Sequence, residues 1–376
     1  MRILEITNYT SGSCGVGNRV IRESQMLAQR GHKVTIFSSN FIKGKSELCN
    51  ESEIQGNVNI KRFHAKQLGG ESFINWSFEK EAIAFMPEII IAHAYRHLHT
   101  IKALKIASKL KIPCILVTHA PFERRKTRTI LQNIIVGLYD YFIGRRLVNK
   151  FSKVLMIAPW ELSHLLKLGL SQKKIEYSPN GVREEFFSSK KIKPISKSLI
   201  YMGRISPIKN LEVLINAMNM IDFKANLLIY GPAEPKYLDK LNNIVSKNKL
   251  EKRVTIINKE YDLKIQLATL DRSEMFVLPS KSEGMPQSLL EAMARGKLVI
   301  GSNISSITSM IKNSKNGFTF EENNSKDLAY KINKVLNLTD SKKKTLSINA
   351  QKFASRFRWN LIIEKLNEII IMETKK

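Results

Sequence analysis

An α/β chain in two halves, each with a parallel sheet covered by helices, is what the sequence predicts. Three observations carry that expectation. Short apolar runs of strand length alternate with amphipathic helical stretches along nearly the whole chain. The alternation is interrupted once by a polar, charged segment containing Pro194, "SSKKIKPISKS" at Ser188–Ser198. The 376 residues are too many for one ordinary core and suit two domains of roughly 150 to 200.

Taken in order, the first half has strand patterns near Arg2–Ile6, Lys33–Phe37, Glu88–Ala92, Cys114–Thr118 and Val154–Ile157. Helical patterns lie between them at Gly17–Arg30, Leu98–Leu110 and as one long helix within Arg128–Lys150. A second round begins after the polar segment. Its strands are expected near Leu199–Met202, Asn226–Tyr230, Val254–Ile257, Met275–Leu278 and Leu298–Gly301, and an amphipathic helix at Trp359–Met372 closes the chain. The expected domains are therefore residues 1–187, a linker at 188–198, residues 199–355, and a C-terminal helical stretch 356–376 that packs back across the domains. Two such domains imply a cleft, where a ligand is held.

Composition narrows the class. A hydrophobic share of 43% with 8% aromatic is that of a packed globular protein. The opening "MRILEITN" reads directly as a strand, so no signal segment is expected, and no apolar run approaches the roughly 18 residues of a membrane span. Cys14, Cys49 and Cys114 are far apart with no CxxC pair, which fits a reducing cytoplasm and argues against structural zinc. The formal charge is +28. Residues 1–190 carry 29 basic and 15 acidic side chains, and the remaining 32 and 18 leave each half at +14. A spread field of this sign favours an anionic partner such as a nucleotide, an acidic membrane or a nucleic acid; a Lys-rich compositional bias is the alternative.

Three loops carry candidate chemistry. "TSGSCGVGNRV", Thr10–Val20, follows the first strand and opens a helix. Gly12, Gly15 and Gly17 allow the backbone to approach a phosphate at a helix N-terminus, or make only a tight turn. In "YMGRISPIKN", Tyr201–Asn210, Arg204 and Lys209 sit where two cations grip a diphosphate, or where Lys209 is merely a solvated helix-start lysine. In "PSKSEGMPQSLLEAMARG", Pro279–Gly296, Glu283 and Glu291 are separated by seven residues, the first on a strand-end loop and the second inside a helix. Carboxylates so placed can accept the hydroxyl hydrogens of a ribose or a hexose; alternatively Glu291 stabilises only the first turn of its helix.

The set "CGVGNRV…LAQRGHKVTIFS", "IEYSPNGV", "YMGRISPIKNLEVLINAM", "LLIYGP" and "FVLPSKSEGMPQSLLEAMARGKLVIGS" resembles the retaining glycosyltransferases of family four, in register from Met1 to about Trp359. The resemblance implies a GT-B fold, two Rossmann-like domains with parallel sheets facing across a cleft. It implies that Glu283 contacts the transferred sugar and Glu291 the nucleotide ribose. Arg204 and Lys209 match the pair that neutralises the donor diphosphate, in place of the divalent ion that DxD enzymes hold; no DxD occurs here. Gly15 and Gly17 match the loop facing the donor phosphate, and His119 in "VTHAPF" the histidine beside the attacking hydroxyl. Gly284, Met285 and Gln287 match backbone donors to sugar and phosphate oxygens. The sequence departs from the family pattern at Cys14, at Arg183 after "NGV", at "GPAE" and at Glu274.

The implied activity is transfer of a sugar from a UDP- or GDP-type donor to a hydroxyl acceptor, retaining and metal-independent, with no cofactor. The acceptor is expected to be a lipid-linked or cell-surface glycan precursor, and the location cytoplasmic or peripheral at the inner membrane face. Phe122–Lys153 bears on that choice. It combines Arg124, Arg125, Lys126, Arg128, Arg145, Arg146, Lys150 and Lys153 with apolar residues at helical spacing from Ile130 to Phe142. It is either an ordinary core helix or a segment that also docks at an anionic membrane. Three rivals stand beside this reading: a nucleotide-sugar 2-epimerase, a nucleic-acid-binding protein (no recognition signature supports one), and a catalytically inert partner subunit.

Overall fold

The computed structural model describes residues 1–12, 14–122, 128–188, 192–222, 224–260 and 262–376. The chain forms two compact units, one made of Met1–Asn180 with Asn360–Lys376 and the other of Gly181–Trp359.

The first unit is built on ten strands: β1 (Arg2–Ile6), β2 (Lys33–Ser39), β3 (Ser52–Gln55), β4 (Val58–Phe63), β5 (Ala65–Gln67), β6 (Ile74–Trp76), β7 (Ile89–His93), β8 (Cys114–Val117), β9 (Lys153–Met156) and β10 (Ile175–Tyr177). Eight of them form one sheet in the order β10-β9-β8-β7-β1-β2-β4-β3, parallel except for the β3–β4 pair; β5 and β6 make a separate antiparallel ribbon. Helices α1 (Gly15–Ala28), α2 (Glu79–Phe85), α3 (Leu98–Leu110), α4 (Ile130–Tyr139), α5 (Arg145–Val148) and α6 (Leu162–Lys167) connect the strands. β7, "IIIAH", is buried along its whole length because helices cover both faces of a parallel sheet. Phe37, Phe63, Trp76 and Phe78 extend this core, the Trp76 and Phe78 rings lying 4.3 Å apart.

The second unit holds β11 (Ser198–Met202), β12 (Asn226–Tyr230), β13 (Val254–Ile257), β14 (Met275–Leu278), β15 (Leu298–Ser302) and β16 (Phe318–Phe320). They form an all-parallel sheet in the order β13-β12-β11-β14-β15-β16. Its helices are α7 (Leu211–Ala217), α8 (Pro235–Lys247), α9 (Leu263–Arg272), α10 (Gln287–Ala294), α11 (Ser305–Thr308), α12 (Ser325–Leu336) and α13 (Asp340–Ala354). The last helix, α14 (Trp359–Thr374), counts from Asn360 onward with the first unit. There Asn367 Oδ1 lies 2.7 Å from His32 Nε2, and Lys365 pairs with Glu176 at 3.2 Å.

The chain leaves the first unit at Asn180–Gly181 and not within the polar segment Ser188–Ser198. Arg295 explains why that segment does not act as a free linker. Its guanidinium donates to the carbonyls of Glu185 and Ser188 at 3.0 and 2.8 Å, and its Nε to Asp271 Oδ1 at 2.8 Å. Further on, Ile195 N donates to Arg272 O at 2.8 Å. Residues Ser189–Lys191 of the expected linker lie outside the described residues.

In both sheets the strand order reverses direction once, between β1 and β7 in the first unit and between β11 and β14 in the second. Loops leaving the carboxyl ends of those strands diverge to opposite faces, which opens a crevice at the switch point.

Arg295 and Asp271 are nearly inaccessible, with side chains 2% and 7% exposed. Replacing Arg295 by Met strands a buried carboxylate, so Arg295→Met is expected to lose about 3–5 kcal/mol in denaturant unfolding. Adding Asp271→Asn removes the stranded charge and recovers part of that loss. Unchanged stability in Arg295→Met would contradict the pairing.

Candidate active site

At the switch point of the second unit, two strand-end loops lie side by side. After β11 the chain passes Gly203, where any Cβ would come within 2.7 Å of the Tyr201 hydroxyl, and that hydroxyl donates to Arg204 O at 2.8 Å. A 3₁₀ turn, Pro207–Lys209, follows. It ends at Asn210 in the left-handed region (φ 55°), whose side chain bonds Asn323 Oδ1 at 2.9 Å. After β14 the loop begins Pro279-Ser280. Ser302 Oγ anchors it through Ser280 O at 2.5 Å, and Lys281 N donates to Ile208 O at 2.9 Å, which ties the two loops together.

The result is a tight cluster. Lys209 Nζ and Ser280 Oγ both donate to Glu283 Oε1, each at 2.6 Å. The Lys209 and Glu283 side chains are only 18% and 11% exposed, so Lys209 is not a freely solvated lysine. Two donors on one carboxylate oxygen fix the Glu283 rotamer and leave its other oxygen available to a ligand. Arg204 does not join this cluster. Its side chain is 44% exposed and reaches Glu234 Oε1 at 3.5 Å, a weak surface pairing.

Beyond Glu283, Met285 is buried and Pro286 leads into α10. The first turn of α10 has no side-chain cap, so backbone N–H groups there are left to other acceptors. The Gln287 side chain is committed elsewhere, its Nε2 donating to Gly181 O at 2.8 Å. Glu291 sits in the second turn of α10, and the first turn holds no acidic residue, so pairing with the helix dipole does not account for it. Burial pushes the Glu291 carboxyl up to about 8, opposed by the charge of Arg183. The departure at Arg183 thus faces the carboxylate that resembles the ribose ligand.

The switch point of the first unit holds the other candidates. Cys14 caps α1, its thiol accepting from Gly17 N at 3.4 Å; this is a structural use of the thiol. A Cβ on Gly17 would meet Tyr9 O at 2.6 Å, so Gly17 answers a packing need. Gly15 does not: a Cβ there would meet nothing within 4 Å. Of the two, Gly15 is the one with open space at the helix start.

His119 follows β8 with φ 58°, and Ala120 has φ 51°. After β7, Ala94 and Arg96 have φ 77° and 71°. Such backbone costs about 1–3 kcal/mol per residue and persists only where its surroundings hold it. Here a buried polar chain does so. His119 Nε2 lies 3.0 Å from His93 Nδ1, and His93 Nε2 lies 2.6 Å from Glu5 Oε2. His93 O accepts from His99 Nε2 at 2.7 Å. Beside Glu5, Glu23 pairs with Arg19 at 3.0 Å, and Arg19 also donates to Ser178 O at 2.8 Å. Glu5, Glu23 and His93 each place one ligand atom within 4.8 Å of the others, the only such group among the described residues. The Arg19 guanidinium already supplies its cation.

Burial pushes Glu5 up to about 8 and His93 down to about 4, and holds His119 well below the usual histidine range. At neutral pH all three are therefore uncharged. Protonated Glu5 then donates to His93 Nε2, His93 Nδ1–H donates to His119 Nε2, and His119 carries its proton on Nδ1. Ionising Glu5 reverses the direction of every bond in the chain. Sequence reading missed Glu5, His93 and Ser280; the lone acid inside the apolar run "RILEI" was the available signal for the first.

Two parallel-sheet units with paired strand-end loops at their switch points define the class as GT-B. Solved structures match over the whole length. Sucrose-phosphate synthase from Thermosynechococcus elongatus is 16% identical, covers 99% of this chain and 98% of its own, and superposes with a TM-score of 0.78. Anabaena Alr3699/HepE in complex with UDP is 18% identical, with coverage of 99% and 100% and a TM-score of 0.77. The chain belongs to the glycosyltransferase group 1/family 4 enzymes: residues 182–353 match "Glycosyl transferases group 1" and residues 14–186 match "Glycosyltransferase Family 4". Among curated relatives, an uncharacterized glycosyltransferase of Methanocaldococcus jannaschii is 28% identical over 265 residues, 70% of each chain. The Staphylococcus aureus capsular polysaccharide biosynthesis glycosyltransferase CapH is 28% identical over 235 residues, 61% of this chain and 63% of the relative. An Escherichia coli UDP-Gal:alpha-D-GlcNAc-diphosphoundecaprenol alpha-1,3-galactosyltransferase is 29% identical over 259 residues, 63% of each.

Because the folded pKa of Glu5 is raised, the native state holds a proton that the unfolded chain releases. Stability from this group is full below about 4.5 and is lost as pH rises towards 8. His93, lowered to about 4, acts oppositely only up to its ordinary value of 6.5. Burial also raises Glu291 and Glu161 into this window, so the Glu5 contribution is read from the difference between variant and parent. Glu5→Gln is expected to flatten the fall of unfolding free energy between pH 6.5 and 8 by up to about 1.4 kcal/mol per pH unit. Parallel pH profiles for the variant and the parent would refute the protonated state of Glu5.

Proposed function

We propose that this protein transfers a sugar from a nucleotide-diphosphate donor to a hydroxyl acceptor, with retention of anomeric configuration and without a metal ion. The observation that carries the reading is the Lys209–Glu283–Ser280 cluster at the β11–β14 switch point, with both bonds at 2.6 Å. Lys209 and Arg204 take the diphosphate, where negative charge grows as the bond to the anomeric carbon breaks. Binding a diphosphate between the two cations draws Lys209 off Glu283, whose freed oxygen accepts from the hexose. Glu291 accepts from the ribose, and the uncapped first turn of α10 offers N–H groups to phosphate or sugar oxygens. His119 stands beside the acceptor hydroxyl. The acceptor oxygen bonds to the anomeric carbon on the face the leaving group departs from, and its proton passes to the released phosphate oxygen.

A lipid-linked acceptor at an anionic membrane is the second part of the proposal. α4, "ILQNIIVGLY", fully buries none of its 10 residues; Tyr139 packs against the core, but most of its apolar character does not serve one. Ile130, Leu131, Ile134, Ile135 and Leu138 are all more than half exposed. Exposed Arg146 and Lys150 follow on the same segment. An apolar stripe flanked by cations suits the interface of an anionic bilayer. No helix among the described residues is long and apolar enough to cross a membrane, so attachment would be peripheral. Arg124, Arg125 and Lys126 of the basic segment lie outside the described residues. Support for a lipid-linked diphosphate acceptor comes from the Escherichia coli galactosyltransferase, whose name specifies one.

Two measurements test this. Lys209→Ala and Arg204→Ala should each lower kcat by about 10²–10³, by analogy with losing an oxyanion donor, and a chelator should leave the parent rate unchanged. Unaltered turnover in both variants, or a strict need for a divalent ion, refutes the assignment. For the membrane, Ile134→Asp with Leu138→Asp should weaken co-sedimentation with phosphatidylglycerol-containing vesicles by about tenfold or more. Equal binding by parent and variant would remove α4 as the docking element.

A further inference from the structure

A file of polar side chains runs inward from the end of β8, and the reaction proposed above uses only its outermost member. His119 Nε2 meets His93 Nδ1 at 3.0 Å, and His93 Nε2 meets Glu5 Oε2 at 2.6 Å. The Glu5 and His93 side chains are wholly inaccessible, whereas His119 is half-buried. Among the described residues His119 Nδ1 has no hydrogen-bond partner, and it is not sealed from solvent. One end of the file is therefore closed in the core and the other is open.

The groups around Glu5 decide which atoms of the file carry protons. From α1 it is faced by Arg19, Glu23 and Ser24. The Arg19 guanidinium donates to Glu23 at 3.0 Å, to Ser178 O and Oγ at 2.8 and 2.9 Å and to Asn180 Oδ1 at 3.2 Å, and gives no hydrogen bond to Glu5. Glu5 Oε1 and Ser24 Oγ are each buried with no hydrogen-bond partner among the described residues. A carboxylate would put ionic charge on an oxygen that no donor meets; a carboxylic acid with its proton on Oε2 leaves only a carbonyl unmet. No positive charge arrives from the start of α3 either. His97 Nδ1 accepts from Asn8 Nδ2 at 3.0 Å, Asn8 Oδ1 being turned to Trp76 Nε1. His99 donates from Nε2 to His93 O at 2.7 Å, and its Nδ1 is buried without a partner, as a bare nitrogen can be. Burial acts in the same direction, raising Glu5 to about 8 and lowering His93 to about 4.

We propose that Glu5 and His93 are positioning residues that make His119 a hydrogen-bond donor to the acceptor hydroxyl oxygen. Protonated Glu5 donates to His93 Nε2, His93 donates from Nδ1 to His119 Nε2, and His119 keeps its own N–H at Nδ1, on the open side. That direction suits a transfer in which the hydroxyl proton passes to the released phosphate oxygen. The Nδ1–H holds the acceptor oxygen through a lone pair and leaves the hydroxyl hydrogen free to point at the leaving group. The other tautomer would present a bare nitrogen and draw that hydrogen away. When Glu5 ionises, each proton of the file moves one place outward and the last leaves from His119 Nδ1. A carboxyl that no substrate touches thus sets the polarity of the group that does. This role rests on the placement of His119 beside the acceptor hydroxyl proposed above, and extends it to two residues of the core.

The ring state is read directly by nitrogen NMR on the full chain labelled with ¹⁵N-histidine, without substrates, the His119 signals being assigned by their loss in His119→Asn. At about pH 6, below the ordinary histidine value, His119 should carry hydrogen on Nδ1 and none on Nε2. In the parent this pattern should invert as pH rises through about 8. In Glu5→Gln, whose amide donates to His93 Nε2 at every pH, it should not invert. Turnover gives the second reading. At saturating donor the parent kcat should fall about tenfold per pH unit above the same midpoint, and the ratio of Glu5→Gln to parent should rise correspondingly. Groups such as Glu291 and Glu161 titrate in both proteins and cancel in that ratio. Glu5→Met, which offers no hydrogen to His93, should have a kcat about tenfold below that of Glu5→Gln at neutral pH, with the donor KM unchanged. If Glu5→Met loses its fold by circular dichroism, the comparison of Glu5→Gln with the parent decides alone. Hydrogen on Nε2 of His119 at low pH, or coincident kcat profiles for parent and Glu5→Gln, overturns the proposal. A chain that turns over no nucleotide sugar yet keeps the Glu5-dependent ring state refutes the proposed activity and retains the relay.

Discussion

Parallel strands release their chains at one edge of the sheet, and the chemistry of this protein follows from that constraint. Each sheet must reverse its winding once to bury both faces, and the reversal leaves two neighbouring strands whose loops part company. In the second unit those strands are β11 and β14, so residues 74 apart in sequence, Lys209 and Glu283, meet at 2.6 Å. The first unit repeats the arrangement with β1 and β7, and Glu5 and His93 meet in the same way across 88 residues. The two pairs differ in environment. Lys209 and Glu283 keep some solvent access, whereas Glu5 and His93 have none. The first pair therefore lies within reach of solvent at its strand ends, and the second is sealed in the core beside His119.

The distribution of strain agrees with this division. Four non-glycine residues with positive φ, Ala94, Arg96, His119 and Ala120, cluster at the ends of β7 and β8. They are held by the His93 hydrogen bonds on one side and by the Arg96–Asp140 pair on the other. The backbone that carries His119 is thus braced by the buried Glu5–His93 chain and by the Arg96–Asp140 pair.

Much of this was legible in the sequence. β1, β12, β13, β14 and α3 run over the residues their apolar patterns indicate. Short edge elements were not visible: β3, β5, β6, β10 and β16 span three or four residues and carry too little pattern. The long helix expected within Arg128–Lys150 is broken, since Asp140 turns in to meet Arg96 and the ladder shifts to a π turn. In the second unit the loops bearing Lys209 and Glu283 could be found from motif spacing, yet not the serine that joins them. Arg204 was paired with Lys209 on chemistry and on the family resemblance; in the folded chain its side chain reaches Glu234. The role of Glu5 was hidden because burial, which decides its protonation, depends on helices distant in sequence.

The return of α14 to the first unit also sets an order of assembly. Ile363, Leu366 and Ile370, all buried, complete a unit whose N-terminal part ends nearly two hundred residues earlier, at Asn180. During synthesis Gly181–Trp359 is contiguous and can condense as soon as it clears the ribosome, while the N-terminal portion waits with apolar surface uncovered until the last helix emerges. A fragment ending at Asn180 would keep that surface permanently bare, and aggregation rather than a tidy half-protein is its natural fate.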